Sequence, residues 1–432
     1  MLDKKEQLLR NETAILVGVD LPGHQPGECE ENLRELEQLA DTAGLKVVGR
    51  VIQERQRINA TYFIGAGKVN SLRETAEMTE AQVIVFDDDL TPAQIRNLEK
   101  ALDLKIIDRS TLILDIFAKH ARTREAKTQV ELAQLQYLLP RLTRHWTHLS
   151  RQVGGIGTRG PGETQLETDR RLVRKRIEKL RKDLEQIDRQ RTTRSRNRSQ
   201  FFRAALIGYT NVGKSTMMNL LADSDVLVEN QLFATLDSTH RKVSLQDGHE
   251  MILSDTVGFI RKLPHHLVAS FKSTLDVVRD ADLLIHVVDL SHRQFQEQMQ
   301  TVTEVLESLD SHEKPILLVF NKIDQVQEMG VIGNLSRKFP DAVFLSALRS
   351  IGVDVLKQKL IGFLEKEFNT YHMQFSSMDQ KVLNFIHTRA RVISQKYVES
   401  QVEITFRCSL HVLEQIKRFQ FQKQAILNGR TV

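Results

Sequence analysis

Hydrophobic positions along the chain change period several times. The runs "AILVGVDL" (from Ala14), "LKVVGRVI" (from Leu45), "AQVIVFDDD" (from Ala81) and "LKIIDRS" (from Leu104) are short, apolar and read as strands. "ENLRELEQLADTAG", "KVNSLRETAEM" and "TPAQIRNLEKALD" carry three-and-four spacing and read as helices. Alternation of the two types predicts a small α/β domain with a largely parallel sheet over residues 1–121. The spacing then becomes heptad-like. Leu132, Leu135, Leu139, Leu142, Trp146 and Leu149 form one seam, and Val173, Ile177, Leu180, Leu184 and Ile187 a second. These predict an antiparallel helical hairpin over 122–200, each arm about 25 residues or roughly 37 Å long. Gly154 would cap the first arm, Thr164 and Glu167 would form a capping box opening the second, and Pro140 should kink or split the first. "RNRSQ" near Arg196 is the linker into a central domain over 201–367, where apolar strands and helices alternate again. Over 368–432, "VEITFRCS" alternates like a half-buried strand and "LHVLEQIKRFQ" follows as an amphipathic helix, a small α+β domain. The fold class is multi-domain α/β.

Composition narrows the function classes. Of 432 residues, 41% are apolar and 27% charged, as in a globular protein. The two cysteines, Cys29 and Cys408, lie far apart without CxxC spacing, which argues against a zinc site or disulfide framework and suits a reducing, cytoplasmic setting. "MLDKKEQLLR" lacks the apolar core of a signal peptide, and no run approaches the roughly 18 apolar residues of a membrane span. The formal charge is only +5, but it is unevenly distributed. Residues Glu167–Gln200 carry 13 Lys+Arg against 6 Asp+Glu, and Lys119–Arg151 carry 7 against 2. The hairpin arms are therefore basic and the rest of the chain is net acidic.

Between the arms lies "GGIGTRGPGETQLETDRR". Its Gly155-x-Gly157-x-x-Gly160 matches the dinucleotide fingerprint formally, but a helix precedes it where that mechanism needs a strand. Five glycines fall within Gly154–Gly162, more than a turn requires. A thin tip with basic arms suits insertion into folded RNA, through Gly155, Gly157, Arg159, Gly160, Gly162, Arg170 and Arg171. A solvated, charged coiled coil is the equally weighted alternative. In the first domain, Gly65-x-Gly67-Lys68 reads as a turn into a helix, and Asp87–Asp89 as a solvated strand end rather than a metal site.

The chemical centre is "FFRAALIGYTNVGKSTMMNLL", an apolar strand, a Gly-rich turn and a helix. Gly208, Tyr209, Thr210, Asn211, Val212, Gly213, Lys214, Ser215 and Thr216 make a phosphate-binding loop whose N–H groups would wrap a β-phosphate. Lys214 would reach the β- and γ-phosphates and Ser215 a Mg²⁺ ion. In "LSDTVGF", Asp255 would hold Mg²⁺ through water and the Gly258 N–H would sense the γ-phosphate, with Thr256 and Val257 between them. "QLFATLDSTH" is a candidate switch containing Phe233, Ala234 and Thr235. Thr235 is the candidate second Mg²⁺ ligand and Thr239 the runner-up. In "LLVFNKID", Asn321, Lys322, Ile323 and Asp324 would read the base. The Asp324 carboxylate can accept from guanine N1–H and the 2-amino group, donors that adenine does not pair. Ser346, Ala347 and Leu348 of "FLSAL" follow another strand, with the Ala347 N–H expected to meet guanine O6. These motifs in this order describe a GTP/GDP-binding domain of doubly wound type.

Together they resemble the HflX family of translational GTPases, over nearly the whole length. The Gly-rich stretch is the most family-specific signal, joined by "GYTNVGKST", "LFATLD", "DTVGFI" and "NKID". The resemblance implies a monomeric GTPase that binds the large ribosomal subunit (rRNA) and splits stalled ribosomes under stress, with the hairpin entering near the peptidyl transferase centre. It also implies catalysis through Lys214, Thr235 and Gly258. Pro140 and His266 depart from the family pattern. Ras-like enzymes orient the attacking water with a Gln after the DxxG motif. Here that position is Phe259, so slow intrinsic hydrolysis is expected. Asn211 resembles the asparagine of potassium-activated G proteins, where K⁺ assists; holding the loop backbone is its other reading. His265 and His266 have no evident partner carboxylate. Two competing functions stand beside this one: a G-protein switch acting on a protein partner through the hairpin, and an RNA remodeller using ATP at an N-terminal site. The absence of a second Walker loop weighs against the last.

Overall fold

A computed structural model gives the architecture. It describes residues 12–142, 165–195, 201–222, 232–233, 237–246, 249–262, 272–311, 313–326, 329–366, 369–377, 379–398, 401–408 and 412–417. The chain forms two compact units. One holds residues 1–189 with 229–237 and 260–274, the other 190–228, 238–259 and 275–432.

In the first unit, strands β1 (Thr13–Asp20), β2 (Lys46–Glu54), β3 (Val83–Phe86) and β4 (Lys105–Asp108) pair in parallel in the order β2-β1-β3-β4. Helices α1 (Glu28–Ala43), α2 (Ala66–Thr79) and α3 (Pro92–Leu102) occupy the three predicted places. Thr91 caps α3 through a capping box with Gln94, with Pro92 in the first turn. One helix was not anticipated. The run from Arg109 to His120 forms α4, and Asp108 caps it by accepting from the Thr111 N–H. Arg109 and Ser110, read as strand, are its first residues; the apolar "LILDIF" hides the helical period because Leu112, Ile113, Leu114, Ile116 and Phe117 are all buried.

Asp87 is not a solvated strand end. It is 3% exposed and ion-paired with Arg109 at 2.6 Å and Lys262 at 2.6 Å. Arg109, itself 2% exposed, also pairs with Glu35, while Lys262 reaches Asp88 and Ser110 donates to Asp89. Burial alone would raise the Asp87 pKa, but Arg109 and then Lys262 outweigh it and hold the carboxyl below its ordinary range.

The first arm of the hairpin is α5 (Arg124–Leu138), capped by Thr123. It gives way to a 3₁₀ turn, Leu139–Arg141, that contains Pro140, so the regular α-helix stops at the proline; the rest of the predicted arm, with Trp146 and Leu149, lies outside the described residues. The second arm is α6 (Gln165–Ser195). Leu132, Ile177 and Leu180 bury against one another, flanked by Leu135, Leu139, Val173 and Leu184. Arg170 donates to the Leu142 carbonyl at 2.9 Å and Arg176 pairs with Glu131 at 2.7 Å, so the arms run antiparallel. Each fully buried leucine of such a seam contributes about 1.5–3 kcal/mol. The tip from Gly154 to Gly162, with Arg159 and the predicted capping threonine Thr164, lies outside the described residues.

The second unit carries a six-stranded sheet of order β10-β9-β8-β5-β7-β6. Its strands are β5 (Phe202–Gly208), β6 (Thr239–Ser244), β7 (Glu250–Asp255), β8 (Leu283–Asp289), β9 (Ile316–Asn321) and β10 (Val343–Phe344). All pair in parallel except β6 with β7. Its helices are α7 (Lys214–Ala222), α8 (Lys272–Asp280), α9 (Phe295–Ser308), α10 (Met329–Lys338) and α11 (Val353–Lys366), α8 beginning in the last residues of the first unit. A three-stranded antiparallel sheet follows, β11 (Asn369–Ser376), β13 (Gln401–Cys408) and β12 (Arg391–Val398) in that order, with α12 (Gln380–Arg389) and a helical turn at 412–417. Val402, Ile404, Phe406 and Cys408 form its core with Ile386 and Ile416, the predicted alternation of β13. No described helix is long and apolar enough to cross a membrane.

Candidate nucleotide site

The carboxyl ends of β5, β7, β8 and β9 converge on one rim of the second unit's sheet, the place where a doubly wound fold binds ligands. β5 delivers the loop from Gly208 to Gly213, and α7 starts at Lys214. Asn211 is exposed and left-handed, with φ 59°, a conformation that asparagine tolerates better than most residues. Gly213 has φ 96°, and a Cβ there would sit 2.4 Å from Asn321 Nδ2, so only glycine fits.

Lys214 is buried. Its Nζ donates to the carbonyls of Gly208 (3.1 Å) and Tyr209 (2.6 Å). Burial pushes its pKa down to about 8 against the opposing pull of Asp255. Beneath it, on β8, His286 is driven to about 4 by burial and then by Lys214, which keeps it neutral. Ser215 Oγ donates to Asp255 Oδ2 at 2.7 Å. A hydroxyl and a carboxylate in contact are the hard oxygen donors that Mg²⁺ takes, and they fit that ion. Thr239, the runner-up ligand, pairs with Asp255 across β6 and β7 and donates to Met218 Sδ at 3.3 Å. Among the described residues no cluster of three or more His, Cys, Asp or Glu gathers as a further metal site.

After Asp255, Thr256 is fully buried and donates to the Leu206 carbonyl at 2.7 Å, and Val257 is nearly buried. Gly258 then packs on the loop: a Cβ there would lie 2.7 Å from Thr210 Cα and 3.0 Å from Lys214 Nζ. Two backbone hydrogen bonds lock the contact, Thr210 N–H to Phe259 O (2.8 Å) and Phe259 N–H to Gly208 O (3.1 Å). The Phe259 side chain is 1% exposed, packed in the core.

On the base side, Asn321 Nδ2 donates to Val212 O (2.8 Å), and its Oδ1 accepts from the Ala347 N–H (2.9 Å). That N–H, expected to be open for guanine O6, is thus already engaged by Asn321. Lys322 is left-handed (φ 61°) and pairs with Asp289 Oδ2 at 2.7 Å. Asp289 was not anticipated, since a single acidic residue at a strand end carries no motif. Ile323 is half-buried, Asp324 and Leu348 are exposed, and Ser346 forms a bridge with Ile351.

Not every predicted residue joins this group. Phe233 belongs to the first unit, where its ring meets Phe117 edge-on at 4.7 Å. An apolar ring that can bury 2% exposed against an aromatic has little to offer a phosphate. Nearby Asp237 accepts from the Arg122 and Thr123 N–H groups at the start of α5. Arg170 is held by the opposite arm, as above, and Arg171 is exposed. Ala234, Thr235, His265 and His266 lie outside the described residues, as do Gly155, Gly157, Gly160 and Gly162.

Comparison with known proteins gives three matching family models. "GTP-binding GTPase N-terminal" matches residues 30–118, "GTP-binding GTPase Middle Region" 120–198, and "50S ribosome-binding GTPase" 203–322. The chain is 52% identical to a GTPase HflX of Flavobacterium psychrophilum, over 77% of this chain and 79% of that one. It is 43% identical to a GTPase HflX of Caldanaerobacter subterraneus, over 96% of both. Among solved structures, a GTP-binding protein from Sulfolobus solfataricus in complex with GDP aligns over 82% of this chain and 98% of that chain, at 25% identity and a TM-score of 0.43.

Proposed function

The chain belongs to the HflX family of GTPases, and on that premise we propose that it binds the large ribosomal subunit and dissociates stalled ribosomes under stress, with GTP hydrolysis stimulated by the ribosome. The observation that carries this reading is the pairing of two basic helical arms over an apolar seam, with the Gly-rich stretch lying between them in sequence. Lys and Arg along the arms supply phosphate contacts, and Arg159 a planar fork at the tip. The protein acts as a cytoplasmic monomer in four parts: an α/β domain (1–121), the hairpin (122–200), the GTP-binding domain (201–367) and a small α+β domain (368–432).

In the nucleotide site, the loop N–H groups and Lys214 hold the β- and γ-phosphates. Ser215, Thr235 and Asp255 hold Mg²⁺, which when bound supplies charge neutralisation at the phosphates. Gly258 senses the γ-phosphate, Asp324 reads guanine and Lys322 packs beside the base. Asn211 holds K⁺ in addition to its left-handed turn; equal turnover in KCl and NaCl would remove that role.

The test replaces Gly155–Gly162 by a short neutral turn. GTP binding and basal hydrolysis are expected to persist, and subunit sedimentation to show splitting lost or greatly reduced. Full splitting without the tip would contradict the proposal. So would loss of GTP binding in a folded variant, which would make the stretch a nucleotide loop.

A further inference from the structure

One buried polar atom beside the phosphate loop is left unexplained by these contacts. Thr210 is 6% exposed, and its Oγ1 has no hydrogen-bond partner among the described residues. A buried hydroxyl without a partner costs roughly 1–3 kcal/mol, so it marks a position under a constraint other than stability. Thr210 sits against two segments of the phosphate end of the site. A Cβ at Gly258 would lie 2.7 Å from Thr210 Cα, 2.8 Å from its Cγ2 and 3.0 Å from Lys214 Nζ, and the Thr210 N–H is bonded to Phe259 O. Phe259 stands where a water-orienting glutamine would stand, and its ring is buried.

We infer that Thr210 is a catalytic residue of GTP hydrolysis, its hydroxyl contacting the γ-phosphate and the attacking water in place of the missing glutamine. A hydroxyl donates one hydrogen bond and accepts others, so one group serves both partners. Thr210 Oγ1 donates to a γ-phosphate oxygen and accepts from the water. The water oxygen bonds to the γ-phosphorus. The bond from that phosphorus to the β–γ bridging oxygen breaks, and its electron pair leaves on GDP. The water proton ends on the released phosphate, and Thr210 is unchanged. The inference rests on the phosphate loop holding the nucleotide as proposed above.

The test compares Thr210→Val, which keeps the shape and removes the hydroxyl, with Thr210→Ser, which keeps the hydroxyl. Three quantities are read: turnover at saturating GTP, GDP affinity and apo melting temperature. Thr210→Val is expected to lower turnover about tenfold or more, the scale of removing one transition-state contact. Its melting temperature should be unchanged or higher, because an unsatisfied hydroxyl is gone. Thr210→Ser should restore turnover to within about threefold, since one hydroxyl contact is retained. Wild-type turnover in Thr210→Val would overturn the inference, as would a fall in GDP affinity or melting temperature that accounts for the loss. Lys214→Ala separates the two levels: if it binds GDP as tightly as wild type, the loop assignment itself fails, whatever Thr210 does.

Discussion

The Asn321 side chain joins Val212 of the phosphate loop to the base-reading segment, donating to the Val212 carbonyl at 2.8 Å while accepting from the Ala347 N–H at 2.9 Å. Three separate motifs are thereby tied through one buried amide. Asn321→Ala strands a buried carbonyl and a buried N–H. It is expected to destabilise the protein by about 1–3 kcal/mol and to weaken GDP binding on the order of tenfold. Thermal melts and a GDP titration read both; wild-type values in both would show that the amide is not a tie.

The proposed guanine selection centres on the exposed carboxylate of Asp324. Asp324→Asn exchanges an acceptor for a donor, so preference should shift from guanosine toward xanthosine nucleotides. Side-by-side titration with GDP and XDP measures it. GDP affinity equal to wild type would place base reading elsewhere.

Lys214 gives the site a pH dependence. Its pKa lies near 8 in the free protein, and a phosphate beside it favours the charged form. Binding above pH 8 must therefore take up a proton, and GDP affinity should fall about sixfold between pH 7 and 8.8. The same depression acts on stability: the charged lysine is fully disfavoured below pH 8, and that cost disappears as pH rises toward the unfolded value of 10.5. A flat affinity profile over this range would contradict the assignment of Lys214 to phosphate.

In the first unit, Arg109 carries a buried charge network with Asp87 and Glu35. Arg109→Leu removes one of the cations paired with buried Asp87 and leaves it Lys262 at 2.6 Å. Urea denaturation should show a loss of about 3–5 kcal/mol, the scale of breaking a buried pair. The lowered Asp87 pKa contributes stability that is present above the ordinary carboxylate range and lost as pH falls through the folded value. A loss under about 1 kcal/mol would mean the network is solvated.

Much of this was legible in the residues. The β1–β4 strands, Pro140, the arm seam and the loop from Gly208 to Ser215 all rest on local chemistry, where period, turn geometry and spacing are fixed by near neighbours. What escaped depended on distant partners. The α4 helix was hidden because the contiguous apolar run from Leu112 to Phe117 is interrupted only by Asp115, which reads as strand as readily as helix. Asp87 looked solvated because its cations, Arg109 and Lys262, lie 22 and 175 positions away. The engagement of the Ala347 N–H by Asn321, the pairing of Asp289 with Lys322 and the unpartnered Thr210 hydroxyl are likewise consequences of packing that no single stretch announces.

The central claim is a GTPase whose intrinsic reaction is slow, because Phe259 cannot orient water, and which the ribosome completes. The most direct measurement is GTP turnover by the full chain, alone and with purified large ribosomal subunits, at one fixed salt concentration. The account predicts slow turnover alone and a several-fold rise with large subunits that weakens as salt is raised. Rapid turnover by the isolated chain, or a rate unmoved by the subunit, would contradict it.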